Sequence, residues 1–173
     1  MMAQIAFDEL RLDKIIFVPV HFPPHKSRRG VIDARHRLNM VRLAIKGNFR
    51  FSVSDFEVRK NGKSYSIDTL EYFHKRFPSK TKFYFIIGED MLTGLKRWKR
   101  IADIRKLAAF AVVRRPGYPG KRKGVLCRYV EMPAIGISSS GLRRRIRHGK
   151  TIKYLVPGNV EQYIKKQRLF QTV

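Results

Sequence analysis

The sequence predicts an α/β fold, a parallel sheet covered by helices on both faces, and three observations predict it. Short continuous apolar runs at 15–20, 83–87 and 108–113 read as strands buried on both sides, not as one-faced alternating strands. The stretches between them carry apolar residues at helical spacing. Strand and helix signals alternate along the chain, an order that gives parallel strands joined by helical crossovers.

Taken in order, Ile5, Ala6 and Leu10 give a weak helical pattern over 3–12, followed by the 15–20 strand and a proline-rich loop. Asp33 can cap a helix in which Leu38, Val41 and Ile45 share a face, with Gly47 placed to end it. A strand is expected around Phe51 and Val53, and 67–77 reads as a helix stopped by Pro78. The 83–87 strand leads through Gly88 to Met91, Leu92, Leu95 and Trp98, whose spacing is helical and is expected to break and resume before Leu107. The 108–113 strand, a glycine-proline loop over 116–124, a strand over 126–132, a serine-arginine helix and a last helix over 159–167 complete the chain. Ligands of such sheets gather at the carboxyl ends of the strands, where the loops hold His25, Lys26, Asp90, Arg114 and Ser138.

The 173 residues, 43% hydrophobic and 12% aromatic, are expected to fold as a single domain over 1–173. The single cysteine, Cys127, excludes an internal disulfide and a cysteine-built metal cage, and points to a reducing, cytoplasmic setting. No apolar run is long enough to span a bilayer and no signal sequence opens the chain, so a soluble protein is expected. A net charge of +25 predicts attraction to polyanions without choosing among nucleotides, nucleic acids and acidic lipids.

The segment 137–147, Ile-Ser-Ser-Ser-Gly-Leu-Arg-Arg-Arg-Ile-Arg, is built to hold phosphate. Exposed amides and the dipole of a helix start favour an anion, hydroxyls at Ser138, Ser139 and Ser140 can cap or donate, and Arg143, Arg144 and Arg147 add fixed charge. A capped, solvated basic helix is the alternative. Four further patterns precede it, the first three being Phe17-Val-Pro-Val-His-Phe-Pro-Pro-His25-Lys26; Ser64-Tyr-Ser66-Ile-Asp68-Thr69; and Ile87-Gly88-Glu89-Asp90 with Trp98 beyond it. Arg114-Arg115-Pro116-Gly117 follows the next strand. A stiff loop can present His25 and Lys26 to phosphate, or be plain surface. Asp90 at a strand's end can accept ribose hydroxyls, and Trp98 can stack on a pyridine ring or simply fill the core.

Together these patterns resemble bacterial nicotinate-nucleotide adenylyltransferases over nearly the whole chain. Ser66 and Ser140 stand where the family usually has threonine, keeping the hydroxyl. The resemblance implies a Rossmann-like, doubly wound parallel sheet of the nucleotidyltransferase type. It implies adenylyl transfer from ATP to nicotinate mononucleotide, giving deamido-NAD and pyrophosphate, with Mg2+ carried on the ATP phosphates and no metal ligands on the protein. Lys26 and Arg143 are then the catalytic cations. His25, Ser66, Asp68, Thr69, Gly88, Asp90, Trp98 and Arg114 form the substrate-binding set, Arg114 on phosphate, and Ile137, Ser138, Ser139 and Arg143 bind ATP. The implied partners are these two substrates, with no membrane, nucleic acid disfavoured and a homo-oligomer permitted.

The family's opening strand, Gly-Gly-Thr-Phe-Asp-Pro loop and His-x-Gly-His sequence are not found, and Met1 is expected to lie inside the family's first helix. His21 and His25 are at the wrong spacing to replace those histidines, and His36, His74 and His148 lie elsewhere. The absent strand would be central, and each lost phosphate-stabilising donor costs roughly a hundred- to a thousandfold in rate, so weak catalysis is expected. Two rivals remain: an enzyme like pantetheine-phosphate adenylyltransferase, with no use for the Ser64–Thr69 pattern and Trp98, and a non-catalytic basic nucleic-acid-binding protein.

Overall fold

The computed structural model describes residues 1–22, 32–60, 62–114, 127–133 and 135–171. Helix α1 spans Met2–Glu9, strand β1 Ile15–Phe17, helix α2 Ala34–Ala44, strand β2 Phe51–Val53, helix α3 Phe56–Lys60 and helix α4 Ser66–His74. Strand β3, Tyr84–Gly88, runs into a 3-10 helix, Glu89–Arg97, and then come α5 (Ile101–Leu107), β4 (Ala109–Arg114), β5 (Cys127–Glu131), α6 (Ser139–Arg147) and α7 (Gly158–Lys166).

Among the described residues every ladder is parallel, as the continuous apolar strands predict, and the strands fall into two sheets. One pairs β1 with β2 and the other runs β3-β4-β5. Helix α1 touches both: the Phe7 and Phe51 rings meet edge to face at 6.3 Å, while Ala6 is sealed against Val113 and Val130. Only a small side chain fits there, since Ala6 and both valines are fully buried.

Strand β1 stops at Phe17, short of the expected 15–20. Pro19 has no N–H to donate, and the carbonyls of Val20 and His21 are taken by Arg37 of α2 instead of by a neighbouring strand. The helical spacing after Gly88 resolves as a 3-10 helix, whose i→i+3 bonds bring Leu92 and Leu95 inward. Helix α3 was not foreseen, because five residues are too few to display a helical period. Asp33 caps α2 as expected, accepting the Arg35 N–H at 2.6 Å.

The main core lies under α4 and α5, where Ile67, Leu70, Ile87, Leu92, Leu95, Ile104, Phe110 and Val112 pack together. Arg100 ties these two helices at their edge, donating to Glu71 and Asp103 at 2.8 Å each. Its hydrogen bond holds the exposed Asp103 carboxyl below the ordinary range. A separate cluster of Ile152, Val160, Ile164 and Leu169 docks α7 onto Met40 and Leu43 of α2 and onto Leu142 and Ile146 of α6. Among the described residues no helix is long and apolar enough to cross a membrane.

Candidate nucleotide site

Three segments distant in sequence meet at the start of α4. Ser64, 8% exposed, accepts the His21 N–H at 2.9 Å through Oγ, and its own N–H donates to the Phe22 carbonyl at 3.1 Å. The stem that leads to His25 and Lys26 is thereby fastened beside Ser66, although His25 and Lys26 themselves lie outside the described residues. From the other side, Lys99 Nζ sits 4.4 Å from the Tyr65 ring centroid, which places Trp98 close by. Tyr65 and Trp98 both pack on the main core.

Helix α4 begins without a side-chain cap: Tyr65 is its N-cap residue, and neither Ser66 nor Asp68 performs that task. Its opening amides are therefore not answered by a side chain, the condition under which a helix start receives an anion. Asp68 pairs instead with Lys60. Thr69, 6% exposed, donates its hydroxyl to Glu57 at 2.5 Å, which gives that buried carboxylate a partner. Asp68 and Thr69 thus hold α3 against α4, and Ser66 is left as the open member of this set.

Trp98 is half-buried, its ring edge-to-face with Phe85 at 5.5 Å and Phe110 at 6.3 Å. Core packing and stacking are compatible here, because edge contacts fix the indole while leaving part of it accessible. At the end of β3 the exposed Asp90 folds back over Gly88, and a Cβ on Gly88 would overlap Asp90 Oδ1. Glycine at this position is therefore required by the carboxylate's place and not by backbone torsion.

Arg114, the last residue of β4, is held more firmly than a free phosphate ligand would be. It donates to Glu131 at 2.9 Å, lies 4.0 Å from the buried Glu89 and stands over the Tyr129 ring at 5.3 Å. Two carboxylates offset its charge. The remainder of that motif, Arg115, Pro116 and Gly117, lies outside the described residues.

Ser138 caps α6, its Oγ accepting the Gly141 N–H at 3.1 Å and lying 3.2 Å from Ser140 Oγ. Gly141, unusual so early in a helix, is explained by the same contact, since a Cβ there would press on Ser138 Oγ at 3.1 Å. Ile137, Ser139 and Arg143 are exposed around this helix start, where no acidic residue occupies the first turn. Sequence reasoning missed Tyr65, Lys99, Arg37 and Glu57. Two of them left a signal: Tyr65 as a member of the Ser64–Thr69 pattern, and Lys99 as a cation directly after the aromatic residue proposed to stack.

A family model described as Cytidylyltransferase-like matches residues 1–145. The chain is 40% identical over 164 residues to the "Probable nicotinate-nucleotide adenylyltransferase" of Bacillus pumilus, covering 95% of this chain and 86% of that protein. It is 38% identical over 180 residues to the protein of the same name from Thermoanaerobacter sp., covering 98% and 85%. Among solved structures it is similar to the Plasmodium falciparum nicotinic acid mononucleotide adenylyltransferase complexed with NaAD, at a TM-score of 0.74 and 18% identity, covering 98% of this chain and 90% of that one. At that identity the likeness speaks for the fold.

Proposed function

This chain belongs to the cytidylyltransferase-like family and, within it, to the nicotinate-nucleotide adenylyltransferases; from that membership we propose that it transfers the adenylyl group of ATP to nicotinate mononucleotide. The nucleotide's 5′-phosphate oxygen attacks the α-phosphorus in line, the bond to the β-phosphate oxygen breaks, and deamido-NAD and pyrophosphate leave. No covalent enzyme intermediate is needed. The protein has to align two anions and neutralise the charge that develops between them.

The observation that carries this reading is the convergence at α4, where Ser64 grips the His21–Phe22 stem and Lys99 reaches Tyr65. The pyridine ring stacks on Trp98 with its carboxylate toward the amides at Ser66, and Asp90, beside Gly88, accepts a ribose hydroxyl. The triphosphate lies along Ile137, Ser138 and Ser139 at the start of α6. Lys26 and Arg143 neutralise the transferring phosphoryl group, while Arg114 reaches phosphate by exchanging its hydrogen bond to Glu131. Mg2+ arrives on the ATP phosphates. A cytoplasmic setting fits the activity and the single cysteine.

The direct test is chromatographic detection of deamido-NAD after incubation with ATP, Mg2+ and nicotinate mononucleotide. Product is expected, and Arg143→Ala is expected to lower its rate about a hundredfold. Absence of product together with absence of nicotinate mononucleotide binding would defeat the proposal.

A further inference from the structure

Lys99 is a cation held over an aromatic face, with no carboxylate paired to it among the described residues. It is exposed, and it holds Nζ over the Tyr65 ring at 4.4 Å. The aromatic face restrains an otherwise flexible stem. Tyr65 directly precedes α4, which has no side-chain cap, and the one acidic residue of its first turn, Asp68, is already paired with Lys60.

Resting on the reading that the pyridine ring binds between Trp98 and α4, we infer that Lys99 is a specificity residue that selects the nicotinate form over the nicotinamide form by pairing with the ring carboxylate. The groups presented to the ring substituent are mostly donors: backbone N–H at the helix start and the lysine ammonium, with the Ser66 hydroxyl able to donate or accept. A carboxylate accepts from every one of them, and its charge is favoured by both the helix dipole and the lysine. A carboxamide is neutral and brings two N–H donors of its own, which meet mostly other donors and lose hydrogen bonds they had in water. Exposure screens Lys99, so the selection it supplies is moderate, not absolute.

Trp98 is the sole tryptophan, so quenching of its fluorescence reports occupancy of this subsite without any turnover. The experiment titrates nicotinate mononucleotide and nicotinamide mononucleotide into the full chain, unchanged and as Lys99→Gln and Lys99→Arg. The unchanged chain binds the nicotinate form more tightly. Lys99→Gln weakens that binding roughly five- to tenfold while moving nicotinamide mononucleotide by less than about twofold, and Lys99→Arg keeps the preference. Raising the salt concentration narrows the preference in the unchanged chain and leaves Lys99→Gln unaffected. A preference unaltered in Lys99→Gln, or equal weakening of both nucleotides, overturns the role of Lys99 while leaving the pyridine subsite standing. If neither nucleotide quenches Trp98 in the unchanged chain, the subsite itself is wrong and the inference falls with it.

Discussion

Replacing Arg37 tests how the stem of the His25–Lys26 loop is held. Its guanidinium donates to the carbonyls of Val20 at 2.5 Å, His21 at 2.7 Å and Ile32 at 3.4 Å. Val20 and His21 precede residues 23–31 and Ile32 follows them, so one side chain of α2 ties both ends of the segment bearing His25 and Lys26. Hydrogen bonds from a charged donor contribute about 1.5–3 kcal/mol each. The Ile32 bond is long enough to count for little. Water replaces part of what is lost at these part-buried carbonyls, so Arg37→Ala is expected to destabilise the fold by about 2–3 kcal/mol in all. Burial lowers the Arg37 pKa against the opposing pull of Asp33, a sign that the guanidinium has already given up hydration to sit there. Lysine lacks the planar fork, so Arg37→Lys should recover roughly half of the loss. Urea unfolding at neutral pH measures both variants. Arg37→Ala within about 0.5 kcal/mol of the unchanged chain, or Arg37→Lys fully as stable, would refute the clamp.

Thr69→Val leaves the buried Glu57 without its hydroxyl partner and should cost about 1–3 kcal/mol in the same assay; a neutral result would mean that water reaches Glu57. Ser138→Ala removes the cap of α6 and should lower stability by about 1 kcal/mol. Ser138→Asp should keep stability, yet weaken ATP binding in a calorimetric titration by setting a negative charge against the triphosphate; equal ATP affinity would place the triphosphate elsewhere. Gly88→Ala meets only the mobile end of Asp90, so melting should shift little. Nucleotide affinity should nevertheless fall about tenfold as that carboxylate is displaced, on the scale of one lost charge-assisted hydrogen bond.

The elements were legible where their signals are local. Asp33 before an amphipathic run gave α2 its start, and the continuous apolar character of 83–87 and 108–113 marked buried parallel strands. Signals failed where a distant partner decides the outcome. Strand β1 is shortened by Arg37, and α3 exists because Thr69 and Lys60–Asp68 fasten it to α4, not because five residues prefer a helix. The site divides in the same way. Ser138 opens a helix and Asp90 follows the end of a strand, as the sequence led one to expect, whereas Asp68, Thr69 and Arg114 are engaged with other protein groups that no motif displays.

The sequence by itself determined the α/β class, the order of strands and helices, the excess of positive charge and the family, because periodicity, capping and motif spacing are properties of short stretches of chain. Only the tertiary structure decided that the strands divide into two sheets, that Ser64 holds the His21 stem across 43 positions, and that Lys99 faces Tyr65 unanswered by any described carboxylate. Such contacts depend on which surfaces pack together, and a residue's neighbours in sequence carry no record of its neighbours in space.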